Sequence, residues 1–256
     1  MKIEMLESNK ERLKIKIRGI NYTLANAIRR SSFELLMPAV DELEIQENDS
    51  VLYDEILANR LALIPLVPNR KINLREECSC KGKGCSKCML KVKLDVEGKK
   101  GGTMIYASSI KGEAKPLFEE MPVVWLEEGQ KIKLVANIKL GKALEHAKFQ
   151  AGLLTYYPCP ILKNFNAKAF EKEELKQILA KFNITLKKDL ELDEKQYEIF
   201  DYIKEKFPET KLELELSETD FIFEIETFSY LSPKEIFIGS LEALDKNLAE
   251  FAKKVK

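Results

Sequence analysis

The sequence has little of what most catalytic, membrane and nucleic-acid-binding proteins depend on. Its 256 residues include a single histidine, and 42 Lys+Arg balance 42 Asp+Glu, so the formal net charge is zero. A zero net charge excludes a chain-wide positive potential that would attract nucleic acid or anionic membranes. The apolar runs, such as LALIPLV at 61–67, are far shorter than the roughly 20 residues that cross a bilayer. The N-terminal MKIEML lacks the apolar core of a signal peptide, and we expect a soluble, cytoplasmic protein.

Common enzyme signatures are absent as well. The sequence contains no GxSxG, no Walker-type GxxxxGK and no Rossmann GxGxxG. His146 is the only histidine, which excludes mechanisms that need two imidazoles. We interpret it as a contact on a strand or at an interface rather than as a general base. These absences remove the usual signatures of three large enzyme classes.

Apolar residues make up 45% of the chain, and their spacing predicts an α+β fold. Leu13, Ile15 and Ile17 alternate with basic residues, which predicts a half-buried strand that pairs with KIEML through a turn at 8–10. TLANAIRRSSFELLMP predicts a helix with Thr23 near its N-cap. Strand patterns dominate from about residue 41 to 160, above all in LKVKLDVEG and KIKLVANIKL, and predict a mostly β domain.

After residue 163 the pattern changes to helical and then returns to strands. FEKEELKQILAKF and LDEKQYEIFDYIKEKF predict two helices, and LELEL and DFIFEIE predict two strands. The charges are unevenly distributed: segment 68–100 has ten basic against four acidic residues, a net +6, and segment 191–226 has thirteen acidic residues against four lysines, a net −9. Solvated surfaces are the default interpretation of such runs.

Four of the five cysteines lie close together and predict a metal site. Their spacing is Cys78-x-Cys80-x4-Cys85-x2-Cys88, with two glycines between the second and third cysteines. Four thiolates around one Zn²⁺ make a closed, structural site, so we predict zinc. Because the first pair departs from the usual CxxC spacing, an iron–sulfur cluster, or cysteines that are reduced or disulfide-linked, remain as alternatives.

The C-terminal segment predicts a long helix with a narrow apolar face. It begins with Ser232-Pro233-Lys234-Glu235, a capping box with proline at the first helical position. Apolar residues follow at alternating spacings of four and three: Phe237, Leu241, Leu244, Leu248 and Phe251. This face packs either on the protein's own sheet alone or also against a similar helix of another chain.

Three arginines lie in or beside predicted helices. Arg29 and Arg30 fall on the polar side of the first helix, and Arg60 follows Asn59 in DEILANRLALIPL. Arginines at such places close interface ion pairs, because a guanidinium binds a carboxylate through two hydrogen bonds. Simple solvent exposure is the alternative interpretation.

Five segments of the sequence form a recognisable series: TLANAIRRSSFELLMPAVDELEI, DEILANRLALIPL, the cysteine loop, LEHAKFQAG followed by TYYPCP, and FIFEIETFSYLSPKEIFIGSLEAL. They occur in the same order and spacing as in the D subunit of archaeal DNA-directed RNA polymerase, and the chain resembles this family over most of its length. The family is itself similar to the third-largest subunit of eukaryotic RNA polymerase II and to the bacterial alpha N-terminal domain.

The resemblance implies a domain organisation. It implies a split, alpha-like dimerisation domain at 1–40 and 218–256, an inserted mostly-β domain with the cysteine loop at 41–162, and a small α/β, ferredoxin-like insertion at 163–217. Many archaeal relatives hold iron–sulfur clusters in the region that aligns with this insertion. This chain has no cysteine beyond Cys159, so we expect no iron–sulfur cluster there, because a cluster needs several thiolates.

The resemblance also implies partners and a function. The chain would be a non-catalytic assembly subunit of DNA-directed RNA polymerase, a nucleotidyltransferase complex. It would form a heterodimer with subunit L, bind subunits N and P, carry the large catalytic subunits, and meet DNA only through the complex. The apolar residues of the C-terminal helix would form the dimer interface with three more residues: Leu24, Ile28 and Leu35. Three residues match family positions that face the large subunits: Arg29, Arg30 and Arg60.

Two other functions are considered on the residues alone. One is a free-standing zinc protein that binds nucleic acid through the basic loop, although 68–100 contains no aromatic residue for base stacking. The other is a redox protein that uses the clustered cysteines.

Overall fold

The computed structural model describes residues 1–255, which form a mixed α and β fold as predicted. Within these residues the strands are β1 (Lys2–Ser8), β2 (Arg12–Arg18), β3 (Met37–Asn48), β4 (Leu66–Pro68), β5 (Leu90–Glu97), β6 (Thr103–Tyr106), β7 (Lys111–Gly112), β8 (Ala114–Pro116), β9 (Pro122–Leu126), β10 (Lys131–Gly141), β11 (Gly152–Asn164), β12 (Leu190–Glu191) and β13 (Glu213–Thr227). The α-helices are α1 (Tyr22–Ser31), α2 (Asp54–Ala62), α3 (Glu173–Lys181), α4 (Glu194–Lys206) and α5 (Pro233–Val255). No helix in the described part of the chain is long and apolar enough to span a bilayer.

The chain divides into two compact units. Within the described residues, the first comprises 1–8, 14–27 and 155–224, and the second comprises 9–13, 28–154 and 225–255.

A sheet with the strand order β1-β2-β13-β11-β12 provides the strands of the first unit. Ile15 and Ile17 are buried on β2 as predicted, and Phe221 and Phe223 are fully buried on β13. The two strands predicted from LELEL and DFIFEIE are one continuous strand, β13, because the Ser-Glu-Thr between them contains neither glycine nor proline to break it.

Helix α1 begins where the sequence predicted and ends earlier. The side-chain oxygen of Asn21 accepts a hydrogen bond from the backbone N–H of Leu24 at 2.9 Å, so the N-cap is Asn21, two residues before Thr23. The predicted helix ran to Met37, whereas α1 ends at Ser31 and is followed by a 3-10 turn at Ser32–Glu34 and by β3.

The helices α3 and α4 share an apolar core, and both lie where the periodicity predicted them. Asp193 and Gln196 form a reciprocal capping box at the start of α4, with distances of 2.8 and 3.2 Å. The core residues are Leu162, Phe170, Leu175, Ile184, Leu192, Phe200, Ile203, Phe207 and Leu212. This part of the chain is thus stabilised by aliphatic and aromatic burial.

A carboxylate on β12 pairs with basic residues of β2. Glu191 accepts a hydrogen bond from Lys16 Nζ at 2.5 Å and also pairs with Arg18. Arg18 makes a further hydrogen bond of 2.9 Å to Asp220. The hydrogen bonds from Arg18 and Lys16 lower the pKa of Glu191 to about 2, against the opposing effect of burial.

The second unit is built on a sheet of order β3-β10-β5-β7. Alternate residues of β5 and β10 point into its core as predicted, with Leu90, Ile132 and Ile138 fully buried. Two short ribbons, β4 with β8 and β6 with β9, belong to the same unit, and Leu57 and Leu61 bury one face of α2 in its core.

The predicted capping box of α5 is present. Glu235 Oε2 accepts from the Ser232 backbone N–H at 2.8 Å, and Ser232 Oγ accepts from the Glu235 backbone N–H at 3.3 Å. Pro233 is the first residue of the helix, where its missing N–H costs no hydrogen bond.

Candidate metal centre and assembly surfaces

The four clustered cysteines converge in the loop between β4 and β5. Cys78 and Cys88 are buried, and Cys80 and Cys85 are half-buried. The loop reverses direction at Gly82 and Gly84, which have φ values of 78° and 86°, a region that side chains other than glycine rarely adopt. The predicted metal-binding residues are therefore brought together, as the sequence indicated.

The sulfur separations match those of a single tetrahedral ion. The Sγ–Sγ distances are 3.6 Å for Cys78 and Cys85, 3.7 Å for Cys80 and Cys88, and 3.9 Å for Cys85 and Cys88. All four sulfurs lie within 4.8 Å of one another. Thiolates bound at about 2.3 Å from a tetrahedral Zn²⁺ are about 3.8 Å apart, so this sulfur set can hold one metal ion.

The electrostatics of the thiols also favour a cation. Burial opposes the ionisation of Cys80, but the Gly84 backbone N–H and the neighbouring thiols outweigh it and lower the pKa of Cys80 to about 7. Burial, followed by the neighbouring thiols, raises the pKa of Cys88 to about 12. Thiolates at the sulfur separations of this loop repel one another. A divalent ion would remove that repulsion.

Arg75 fastens the cysteine loop to the sheet of the second unit. Its Nε donates to the Gly82 carbonyl at 3.0 Å, and its Nη1 donates to Glu42 Oε1 on β3 at 3.1 Å. The sequence did not indicate that Arg75 attaches the loop to β3. Arg75 lies three residues before the first cysteine, but this position does not predict which carbonyl or carboxylate its side chain contacts.

The apolar face of α5 is buried at its start and exposed along the rest of the helix. Phe237 is buried in the protein itself, and Leu244 is half-buried. The exposed fractions are 37% for Leu241, 58% for Leu248 and 67% for Phe251. The exposed part continues to Val255, which is 69% exposed. The last three turns of α5 therefore present an apolar surface.

The predicted interface residues of the first helical region differ in exposure. Leu24 is 38% exposed, whereas Ile28 is buried. Leu35 is half-buried beside α5, since a Cβ on Gly239 would lie 2.7 Å from Leu35 Cδ2. Glycine thus allows the close approach of α5 to Leu35.

The three predicted arginines have different surroundings. The guanidinium of Arg29 lies 5.9 Å from the centroid of the Phe33 ring. Arg30 is exposed. Arg60 is exposed and donates a hydrogen bond of 3.0 Å to the Pro122 carbonyl. Its interface ion pair stays a prediction.

An exposed apolar stripe on α2 was missed by the sequence analysis. Tyr53, Ile56 and Leu63 are 80%, 48% and 50% exposed, and their spacing places them on one face with Arg60. Arg60 also lines a surface cavity of about 290 Å³ that includes Trp125. The alternating spacings of three and four residues at 53, 56, 60 and 63 could have predicted this face from the sequence.

His146 has a local structural contact. Its Nδ1 accepts a hydrogen bond of 3.0 Å from the Lys148 backbone N–H, which caps a short 3-10 helix at Ala147–Phe149.

Comparison with known proteins finds RNA polymerase subunits. Residues 43–154 match the family model for the RNA polymerase Rpb3/RpoA insert domain. The chain is 31% identical over 267 residues to DNA-directed RNA polymerase subunit Rpo3 of Pyrococcus furiosus, with 98% of this chain and 95% of the relative covered. It is 30% identical over 259 residues to the Rpo3 subunit of Thermococcus kodakarensis, with 98% and 96% covered.

A third relative aligns over a shorter region. The Rpo3 subunit of Archaeoglobus fulgidus is 38% identical over 153 residues, which is 58% of this chain and 57% of the relative.

Proposed function

Because the chain belongs to the Rpo3 family of archaeal DNA-directed RNA polymerase subunits, the family that the sequence resemblance indicated, we propose that it assembles the enzyme by pairing with subunit L. It is a subunit of the polymerase without a catalytic site of its own. The nucleotidyl transfer belongs to the large subunits, and this chain would supply the surfaces on which they assemble, in the cytoplasm and with DNA contacts made through the complex.

The exposed apolar face of α5 is the observation that supports the pairing. Leu248 and Phe251 are more than half exposed near the end of a helix of 23 residues, where water contact with apolar surface is unfavourable. Obligate partners cover such surfaces with interfaces of about 2,000 Å² or more. The helix of subunit L would cover Leu241, Leu248 and Phe251, while Ile28 and Phe237 support the face from within the chain.

Co-expression with subunit L of the same organism tests the pairing. We expect one 1:1 species in native mass spectrometry, and self-association or aggregation of the chain expressed alone. A stable monomer that ignores subunit L would contradict the proposal.

We also propose the domain organisation that the family resemblance implied. The dimerisation domain would comprise 1–40 and 218–256, the inserted β-rich domain 41–162, and the ferredoxin-like insertion 163–217. The match of 43–154 to the insert-domain family supports the second of these. The insertion would lack an iron–sulfur cluster, because its sequence contains no cysteine.

Zinc is the proposed metal of the cysteine loop. The closed set of four sulfurs at single-ion separations supports zinc over an iron–sulfur cluster, in which the thiolates bind different irons and lie farther apart. The ion would crosslink the loop, with Arg75 holding it to β3. We expect the purified protein to be colourless and to contain one zinc per chain in elemental analysis. A brown protein that contains iron would contradict the proposal.

The remaining polymerase contacts are assigned to exposed basic and apolar groups. Arg29, Arg30 and Arg60 would face the large subunits, where a guanidinium can pair with a carboxylate on a neighbour. Subunits N and P would complete the assembly. Pull-down of the large subunits by the heterodimer, with Arg60→Ala compared against wild type, tests this assignment.

A further inference from the structure

A groove in the first unit is lined by aromatic and prolyl side chains that the proposed assembly does not use. It has a volume of about 260 Å³, and its lining residues come from β11, α4 and β13: Tyr157, Pro158, Pro160, Glu194, Tyr197 and Leu216. Leu216 is 52% exposed. The groove therefore offers two aromatic rings and an open aliphatic side chain to another molecule.

Hydrogen bonds and ion pairs fix one wall of the groove. The Tyr157 hydroxyl donates to Glu224 Oε1 at 3.2 Å. Lys14 Nζ lies 2.5 Å from Glu224 and 3.4 Å from Glu194, and it sits 5.5 Å from the centroid of the Tyr157 ring. The tyrosine ring is thus held in place before anything binds, and one lysine against two glutamates leaves this wall negative.

An acidic stripe along α4 begins at the same groove. Glu194, Glu198, Asp201 and Glu205 are exposed and follow the spacing of one helix face. In the part of the chain that the structure describes, the last three of these have no basic group within 4.0 Å. Like charges one turn apart destabilise a helix, so this stripe is unfavourable for the isolated chain. It would become favourable against a positively charged partner.

We propose that this groove binds an extended, lysine- or arginine-rich segment of another protein, which inserts a prolyl or aliphatic side chain between Tyr157 and Tyr197. Grooves with aromatic walls recognise extended proline-containing segments, whose preformed conformation loses little entropy on binding. The charge of the stripe selects a basic segment and repels the phosphates of a nucleic acid. This inference gives the cysteine-free insertion, together with β11, a binding surface and does not depend on pairing with subunit L.

Fluorescence anisotropy with defined peptides tests the proposal on the full chain. The probe is a fluorescein-labelled peptide of repeated Lys-Pro-Leu-Pro, compared with repeated Glu-Pro-Leu-Pro and with a single-stranded DNA of similar length. We expect binding of the basic peptide that weakens about tenfold or more at high salt, and no measurable binding of the acidic peptide or the DNA.

Two variants distinguish binding in the groove from non-specific binding elsewhere on the surface. Leu216→Arg should weaken binding of the basic peptide about tenfold or more, whereas Phe182→Arg, at a residue that is 48% exposed and does not line the groove, should leave it unchanged. The double variant Glu198→Lys with Asp201→Lys alters only exposed side chains and should abolish the salt dependence. Equal affinity of the two peptides, tighter binding of the DNA, no binding of the basic peptide, or equal effects of Leu216→Arg and Phe182→Arg would each overturn the proposal.

Discussion

Replacing Leu248 and Phe251 together with serine removes apolar surface from the exposed part of α5. Full burial of a leucine or phenylalanine contributes about 1.5–3 kcal/mol. Because 58% of Leu248 and 67% of Phe251 are exposed in the chain, covering them by subunit L is worth roughly 1–2 kcal/mol for each residue. The double variant should therefore lose roughly 2–4 kcal/mol of binding free energy, which raises the Kd about 30-fold to 1,000-fold.

A matched control comes from the opposite face of the same helix. Lys246 and Lys253 are exposed, have the seven-residue spacing that keeps them on one face, and point away from the apolar stripe. Serine at both positions changes the helix propensity of the same segment. We expect Lys246→Ser with Lys253→Ser to change the Kd by less than a few fold.

Sedimentation velocity over a dilution series of the co-expressed heterodimers measures the Kd of each double variant. The apolar variant should dissociate at concentrations where the control and the wild type remain paired. It should also make the chain expressed alone less prone to aggregate, because the exposed apolar area is smaller. Equal dissociation of the two double variants would refute the argument that this face binds subunit L.

Three further predictions concern the metal loop, the half-buried carboxylate of Glu191 and the single tryptophan. Cys85→Ser should abolish stoichiometric zinc in elemental analysis while heterodimer formation persists, and loss of both together would show that the loop and the dimer interface are coupled. Glu191→Gln should lower the urea midpoint near pH 7, and the difference from wild type should shrink as the pH falls from 4.5 towards 2. The folded-state pKa of Glu191 is lowered to about 2, so its contribution is present above the unfolded value and lost on protonation; a difference that stays constant down to pH 3 would contradict this. Gly102→Ala should shift the fluorescence of Trp125 to longer wavelength, because a Cβ there lies 2.2 Å from the indole, whereas Gly101→Ala meets nothing within 4 Å and should leave the spectrum unchanged.

Local signals in the sequence predicted most of the secondary structure. The alternation in β5 and β10 predicted their buried faces, because each strand has one face in a core and a period of two. The capping box at Ser232 predicted the start of α5, since it is a local arrangement of side chain and backbone. The start of α1 was predicted correctly, whereas its end was placed too late, because apolar residues continue past Ser31 into a 3-10 turn and β3.

Tertiary contacts explain what the sequence did not predict. The spacing of the cysteines predicted that all four lie close together. The attachment of their loop through Arg75 to Glu42 was not predictable, because it depends on β3 lying beside the loop. The partition of the α5 face into a buried start and an exposed end likewise depends on which elements pack on Phe237. Periodicity predicts that a face is apolar and does not say how far the chain's own core covers it.

Apolar side chains occupy the centre of the proposed insertion at 163–217. A metal cluster stabilises a small domain by crosslinking it, whereas here Phe170, Leu175 and Phe200 fill the centre and are almost completely buried. Burying three such side chains contributes about 5–9 kcal/mol before the entropy of folding is counted. The exposed acidic residues of α4 and the aromatic residues of β11 form the surface on which we expect this segment to function.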